Sequence, residues 1–153
     1  MRTLAILFIS GALLAQSPAY EKVASAKDLM HLMVIPASEA LFNVGAKEPA
    51  NDKDWQDLRT QALMLAESGN LMLIPGRATA PVTASKGKAA TKGKAPVALA
   101  VPADWAAASR QMRAAGKSAV AAIDKKDLDM LLGDVGEAIL TSCSSCHDKY
   151  LLK

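Results

Sequence analysis

Near the end of the chain, Cys143, Cys146 and His147 form a C-x-x-C-H sequence. In an α-helix, residues three and four positions apart lie on the same face, so these three side chains can contact one flat ligand. In an exported protein this sequence is typical of the attachment of one haem c, whose vinyl groups bond to both thiols and whose iron binds the imidazole. The sequence therefore predicts a helix here, with Cys143 and Cys146 as the thioether residues and His147 as an axial ligand of the iron.

Two other uses of paired cysteines fit the sequence less well. A dithiol redox motif usually follows a strand and a turn, whereas the residues before Cys143 have helical spacing. Structural zinc needs four ligands, and His31 is the only histidine besides His147. The sequence therefore favours haem attachment.

Residues 1–19 have the three parts of a secretory signal peptide. Arg2 supplies a positive charge, residues 4–15 are apolar, and residues 17–19 form a small-residue cleavage site. The apolar run is too short to span a bilayer comfortably. We therefore expect cleavage after Ala19 and export to the periplasm, with an uncleaved N-terminal anchor as the alternative.

The composition favours one domain of close-packed helices over residues 20–153. Hydrophobic residues make up 51% of the 153 residues, which is enough for a sizeable core. Aromatic residues make up only 4%, so the core must be built from small and aliphatic side chains.

Apolar residues recur at spacings of three and four in four separate stretches, which predicts four helices. We expect them at residues 21–45, from 52 or 53 to 73 with Asn51 or Asp52 as the N-cap, at 103–123, and from 127 or 128 into the C-x-x-C-H sequence. Their apolar faces consist, in order, of Ala26, Met30, Met33, Ala37, Leu41 and Val44; Trp55, Leu58, Ala62, Leu65, Gly69 and Met72; Trp105, Ala108, Met112, Ala115, Ala119 and Ala122; and Leu128, Leu132, Val135, Ile139, Cys143 and Cys146. Pro36 lies inside the first stretch, where we expect a kink near Val34 or a restart of the helix.

Residues 76–103 differ in composition from the rest of the chain. They contain near-repeats at 85–89 and 91–95, five basic residues and no acidic ones. Such a segment cannot bury a core, so we predict a long disordered loop between the second and third helices. A solvated linker is the simpler interpretation, and a docking arm for an acidic partner or an anionic membrane surface is the functional one. The rest of the mature chain is slightly acidic, so we expect no nucleic-acid surface.

The layout resembles that of the class II cytochromes c, the cytochrome c-prime group. The resemblance covers the mature chain in its arrangement of helices. It is specific only at residues 143–150, where C-x-x-C-H is followed by an aromatic residue three positions later, Tyr150. It implies an antiparallel four-helix bundle that holds one haem c, with His147 as the proximal ligand.

The same resemblance implies two cases for the sixth ligand of the iron. Low-spin members have a methionine in the first helix, in a setting similar to residues 27–30 here, and they carry electrons. High-spin members leave the position empty and bind nitric oxide or carbon monoxide. We expect Met30 to be the distal ligand, because in an antiparallel bundle the start of the first helix lies beside the end of the fourth. Met33, one turn further along, and an open site are the alternatives.

The expected function is therefore that of a periplasmic mono-haem cytochrome that carries single electrons. The alternatives are a gas-binding or gas-sensing haem protein and a subunit in which the haem is only structural. No set of acid, base and nucleophile suggests an enzyme. The expected partners are redox proteins of the periplasm, and a homodimer or a contact of the cationic loop with a membrane surface is left open.

Overall fold

The computed structural model describes residues 20–79 and 101–150, and the regular structure in these two ranges is helical. It forms four helices: α1 at residues 26–45, α2 at Asp52–Met72, α3 at Ala103–Asp124 and α4 at residues 128–150. The prediction of an all-α, four-helix fold is therefore confirmed. None of these helices is long and apolar enough to cross a membrane. The expected signal peptide and most of the expected cationic loop lie outside the described residues.

The first helix begins later than expected, because Ser25 caps it. The Asp28 N–H donates to Ser25 Oγ at 3.1 Å, and the Ser25 N–H donates to Asp28 Oδ2 at 2.9 Å, which together make a capping box. The hydrogen bonds from Ser25 lower the pKa of Asp28. Ser25 itself has an extended backbone, with φ of −74° and ψ of 167°, so the helix does not reach back to Glu21.

A π-helical turn at Met30–Val34 lets α1 continue past Pro36. In this turn the Ile35 N–H donates to the carbonyl of Met30, five residues earlier. Pro36 then lies in the first turn of the α-helical segment Ile35–Phe42, where a missing N–H leaves no gap in the hydrogen bonding. Pro36 therefore occupies the first-turn position expected for it, although the helix continues through the π turn without a break.

The second and third helices run antiparallel, with their backbones in close contact. The Trp105 Nε1–H at the start of α3 donates to the carbonyl of Met72 at the end of α2, at 2.8 Å. Further along, a Cβ added to Gly116 of α3 would lie only 2.5 Å from the backbone nitrogen of Ala66 in α2. Glycine at this position therefore allows the two helices to touch.

The fourth helix contains a second π turn, and its buried face differs from the expected one at one position. The helix is capped by Asp127, whose Oδ1 accepts a hydrogen bond from the Met130 N–H at 2.9 Å, and the π turn follows at Leu131–Val135. Leu131 is 2% exposed, whereas Leu132 is 48% exposed. The prediction that Leu132 faces the core is wrong, because the buried face runs through Leu131, four residues before Val135. From Val135 onward, the buried residues include three that the repeat predicted: Val135, Ile139 and Cys146.

The core is built from small and aliphatic side chains, as the composition predicted. Alanine occupies several of the tightest positions, and Ala37, Ala62, Ala119 and Ala122 are completely buried. The indole of Trp105 is the large exception, at 3% exposed. Short side chains at these positions let the helices approach one another closely.

Contacts at the two ends show that the bundle is antiparallel throughout. A Cβ added to Gly45, at the end of α1, would lie 3.1 Å from Cδ2 of Leu132, near the start of α4. At the other end, the Tyr150 hydroxyl at the end of α4 donates to Asp104 Oδ1 at the start of α3, at 2.7 Å. The prediction of an antiparallel four-helix bundle is confirmed.

We call the second of these ends the motif end, because it holds residues 143–150 of α4. It also holds the start of α1, the end of α2 and the start of α3. Lys22, just before α1, donates from Nζ to the carbonyl of Gly76, just after α2, at 3.0 Å. The chain therefore brings residues from all four helices close to the C-x-x-C-H sequence.

Candidate haem-attachment site

Cys143 and Cys146 lie on the face of α4 that packs against the core. Cys146 is 9% exposed and belongs to the core, and Cys143 is half-buried and packs against it. Neither cysteine forms a disulfide bond. Their spacing of three residues places the two thiols on the same side of the helix, toward the interior of the bundle. Both candidate thioether residues are therefore together at the apolar face of α4.

Burial raises the pKa of both thiols. Loss of water is the main cause at Cys146, whose pKa rises to about 11, and the nearby Cys143 and Asp104 add to the shift. Burial likewise raises the pKa of Cys143. A catalytic dithiol needs a lowered pKa in order to form a thiolate. The raised pKa therefore favours the neutral thiol form of both cysteines, not the thiolate.

His147 follows Cys146 near the end of α4, and its side chain is exposed. Its spacing of four residues from Cys143 places it near the first thiol on the helix surface, but it does not share the burial of Cys146. His31 is also exposed. Within 20–79 and 101–150, no three side chains of His, Cys, Asp or Glu are arranged to hold a metal ion together. Two thiols with one accessible imidazole match the donors of a haem c site better than the four ligands of structural zinc.

Met30 and Met33, the candidates for the sixth ligand, lie in the half of α1 nearer the motif end. Both are half-buried and pack against the core. The π turn that begins at Met30 places Leu29 and Val34 at the fully buried positions, with exposures of 5% and 4%. The regular repeat had predicted that both methionines lie on the most buried line of the helix. Neither of them does. The assignment of Met30 as a ligand stays a prediction.

A network around Asp104 holds the last turn of α4 against α3. Asp104 Oδ1 accepts hydrogen bonds from the Tyr150 hydroxyl at 2.7 Å and from the Trp105 N–H at 2.9 Å, and Lys149 Nζ lies 3.3 Å from Oδ2. The rings of Trp105 and Tyr150 pack edge to face, with their centroids 4.9 Å apart. This network fixes the part of the helix that carries His147.

The same network changes the acidity of its members. The hydrogen bond from Tyr150 is the largest cause that lowers the pKa of Asp104, to about 2. Loss of water, followed by the contact with Asp104, raises the pKa of Tyr150 to about 12. The sequence identified the aromatic residue after the motif and the acid in the first turn of α3, but it gave no sign that the two are bonded.

Arg77 is a second residue whose surroundings the sequence did not reveal. It was expected at the beginning of a solvated loop, yet it is only 5% exposed. Its Nε and Nη1 atoms are buried, and neither has a hydrogen-bond partner among the described residues. Its position directly after Gly76, a residue with φ of 79°, is the only local signal of a change in chain direction there.

Two open clefts in the described part of the chain lie away from the candidate haem ligands and thioether residues. One, of about 330 Å³, lies between the end of α1 and the start of α2, at the end of the bundle opposite the motif end. The other, of about 430 Å³, lies between α3 and α4 and is lined mostly by polar and small residues. Neither cleft is lined by Cys143, Cys146, His147, Met30 or Met33. Neither cleft therefore forms part of the candidate haem site.

No family model matches this chain, and no curated protein or solved structure matches it either. Its own residues are therefore the guide to its function. In their chemistry they fit a haem c, because α4 carries two reduced thiols and an accessible imidazole, and α1 carries two thioethers toward the same end. The Nε and Nη1 atoms of Arg77, which have no partner among the described residues, also suit a cofactor that carries carboxylates.

Proposed function

We propose that the protein is an exported, mono-haem c-type cytochrome that carries single electrons in the periplasm. The main support is the placement of Cys143 and Cys146 together on the core-facing side of α4, with the accessible His147 next in the chain. This combination is typical of haem c attachment. The pattern of a signal peptide at residues 1–19 supports export, which the attachment chemistry needs.

The bound haem c would supply an iron that is oxidised and reduced by one electron at a time. The chain supplies the anchoring and the environment of that iron. Cys143 and Cys146 would hold the group through two thioether bonds, and His147 would bind the iron on one side. The apolar surroundings of Cys146 keep water from the thioether side of the site, which helps to set the reduction potential.

The hydrogen bonds around Asp104 give His147 a fixed support. Tyr150 lies three residues after His147 on the same helix, and its hydroxyl bonds to Asp104 of α3. The adjacent Lys149 adds an ion pair with the same carboxylate at 3.3 Å. A ligand on a helix held in this way would stay in place when the iron changes its charge.

We propose Met30 as the sixth ligand, with Met33 as the competing residue. A histidine and methionine pair gives a low-spin iron with a raised potential, as suits an electron carrier. The alternative function is a five-coordinate haem that binds nitric oxide or carbon monoxide. It is favoured by the half-buried state of both methionines, since neither is fixed in the interior of the core.

The proposal also covers the partners and the class of the protein. We propose an electron-transfer protein rather than an enzyme, with redox proteins of the periplasm as its partners. The cationic composition of residues 76–103 suits contact with an acidic partner or an anionic membrane surface. A homodimer is also compatible with the proposal.

Covalent attachment can be tested on protein produced together with a haem c maturation system. We expect the haem to stay with the polypeptide through denaturation and acid-acetone extraction. The double variant Cys143→Ser, Cys146→Ser should lose it. The control Ser144→Ala changes an exposed residue within the motif but keeps the two thiols and the imidazole, so it should retain the haem. Release of free haem from the wild type, or its retention by the double variant, would disprove the attachment.

The sixth ligand can be tested by absorption spectroscopy of the ferric protein. A bond from methionine sulfur to iron gives a weak band in the far red. We expect this band in the wild type and in Met33→Ala, and its loss in Met30→Ala. A high-spin wild-type protein that binds carbon monoxide rapidly on reduction would instead support the gas-binding alternative.

A further inference from the structure

Arg77 brings a buried positive charge close to the motif end of the bundle. It follows α2 and the left-handed residue Gly76, whose carbonyl accepts a hydrogen bond from Lys22 at the start of the described chain. The last carbonyl of α2, that of Met72, is bonded to Trp105, and Trp105 in turn packs against Tyr150 of α4. Arg77 therefore follows a helix end that is linked, through Trp105 of α3, to the last turn of the helix carrying the C-x-x-C-H sequence.

The ion pairs among the described residues do not include Arg77, and two of the carboxylates at this end are engaged elsewhere. Asp28 accepts its hydrogen bonds from Ser25, and Asp104 accepts from Trp105 and Tyr150. The Nε and Nη1 atoms of Arg77 bond to neither of them.

The undescribed parts of the chain offer no acidic side chain to Arg77. Residues 1–19, 80–100 and 151–153 contain neither Asp nor Glu. Arg77 therefore forms no ion pair with an acidic side chain of this sequence.

A guanidinium stays charged at every physiological pH, because its pKa is far above neutrality. A buried charge without a partner is strongly destabilising, so buried charges are normally paired. The planar fork of N–H donors on arginine matches the two oxygen atoms of a carboxylate. The chemistry of Arg77 therefore calls for an anion, preferably a carboxylate, other than these acidic side chains.

We propose that Arg77 binds a propionate carboxylate of the haem. This inference rests on the proposed function, because the haem is the carboxylate-bearing group that Cys143 and Cys146 would attach. Haem carries its two propionates on the other half of the ring from the vinyl groups that react with the thiols. A partner for them is therefore expected outside the C-x-x-C-H sequence, and Arg77 meets that requirement from the end of α2. Neutralising the propionate in a site sheltered from water would also help to hold the ring in one orientation.

The test uses the haem-loaded protein and three variants. Arg77→Gln removes the charge, and Arg77→Lys keeps the charge but loses the two-pronged geometry. Arg110→Gln is the matched control, because Arg110 is an exposed arginine of α3. Two properties are measured in each, namely the propionate bending band in the resonance Raman spectrum and the midpoint potential of the iron.

We expect Arg77→Gln to shift the propionate band and to lower the midpoint potential, because loss of a nearby positive charge favours the ferric state. Arg77→Lys should shift the band but keep the potential close to that of the wild type, and Arg110→Gln should change neither. If Arg77→Gln does not accumulate in the cell, the position of the propionate band in Arg77→Lys alone is the test of the contact.

An unchanged band in a haem-containing Arg77 variant would overturn this inference and leave the proposed function standing. A wild-type protein without covalent haem would refute the proposed function itself, so the two failures are distinguishable.

Discussion

Gly116 of α3 lies against the backbone of α2, where the methyl group of an alanine has no room. The added Cβ would lie 2.5 Å from the nitrogen, 2.8 Å from the Cα and 2.9 Å from the Cβ of Ala66. Carbon atoms in comfortable contact are about 3.5–4.0 Å apart. The contacts are with the main chain, so rotation of a side chain cannot relieve them. The two helices would have to separate by roughly 1 Å to restore an ordinary distance.

Two effects of opposite sign decide how much stability Gly116→Ala costs. Alanine in a helix interior is favoured over glycine by about 1 kcal/mol. Overpacking of a well-packed core costs about 1–3 kcal/mol, and contact with a backbone belongs at the upper end of that range. We therefore expect Gly116→Ala to lower the free energy of unfolding by roughly 1–2 kcal/mol.

Gly133 in α4 is a matched control for this substitution. It is exposed, and a Cβ added there would meet no atom within 4 Å. The helix propensity then acts without any steric cost. Gly133→Ala should raise the free energy of unfolding by about 0.5–1 kcal/mol.

Both substitutions can be measured by urea unfolding of the haem-loaded protein, followed by far-ultraviolet circular dichroism. The midpoint of unfolding should fall for Gly116→Ala and rise for Gly133→Ala, with similar slopes for all three proteins. If Gly116→Ala were as stable as Gly133→Ala, then α2 and α3 would not be in backbone contact, and the packing described above would be wrong.

Two further predictions concern the motif end. Gly76 has φ of 79° and open space where a Cβ would lie, so Gly76→Ala should lower the free energy of unfolding by about 1 kcal/mol through backbone strain alone, measured by the same urea titration. The hydrogen bond from Tyr150 is the largest cause that lowers the pKa of Asp104, from its usual 3.8 to about 2 in the folded protein. The stability from this depressed pKa is therefore fully present above about pH 4 and is lost as the pH falls toward 2. Asp104→Asn has no carboxyl group to protonate at this position, so its stability should not show this fall between about pH 4 and pH 2. The measurement is an acid titration followed by circular dichroism, and a profile identical to that of the wild type would contradict the assignment.

The regular spacing of apolar residues was sufficient to predict the four helices, because burial of one helix face repeats every three or four residues. A departure from regular helix geometry near Pro36 was also predictable, since proline lacks a backbone donor. The start of α1 was not, because the side chain of Ser25 ends the helix before Glu21 can join it. A helix that begins after Ser25 and a longer helix that begins at Glu21 have the same pattern of apolar residues, so the pattern did not distinguish them.

The π turn of α1 explains one place where the regular pattern failed. It adds one residue to the helix, so that the buried residues Leu29 and Val34 are five positions apart and Met30 between them is less buried. In α4, Leu131 and Leu132 both fit an apolar repeat of three and four residues, so the spacing alone did not identify which of them is buried. The bond between Tyr150 and Asp104 was also beyond the sequence, because it depends on which helices become neighbours.

The burial of Arg77 had no sequence signal of its own. Arginine next to a lysine-rich segment normally indicates a solvated surface. Its burial follows from the reversal of the chain at Gly76 and the packing after α2, both of which are tertiary features. By contrast, the spacing of Cys143, Cys146 and His147 was informative because all three lie on one helix, where local geometry fixes their relative positions.

The most direct test of the central claim is the intact mass of the purified protein, measured under denaturing conditions after expression with a haem c maturation system. Haem attachment through Cys143 and Cys146 predicts a single species whose mass exceeds that of the mature polypeptide by one haem, and the added mass should be absent from the Cys143→Ser, Cys146→Ser double variant. A wild-type mass equal to that of the polypeptide alone, with both thiols free to react with an alkylating reagent, would contradict the account.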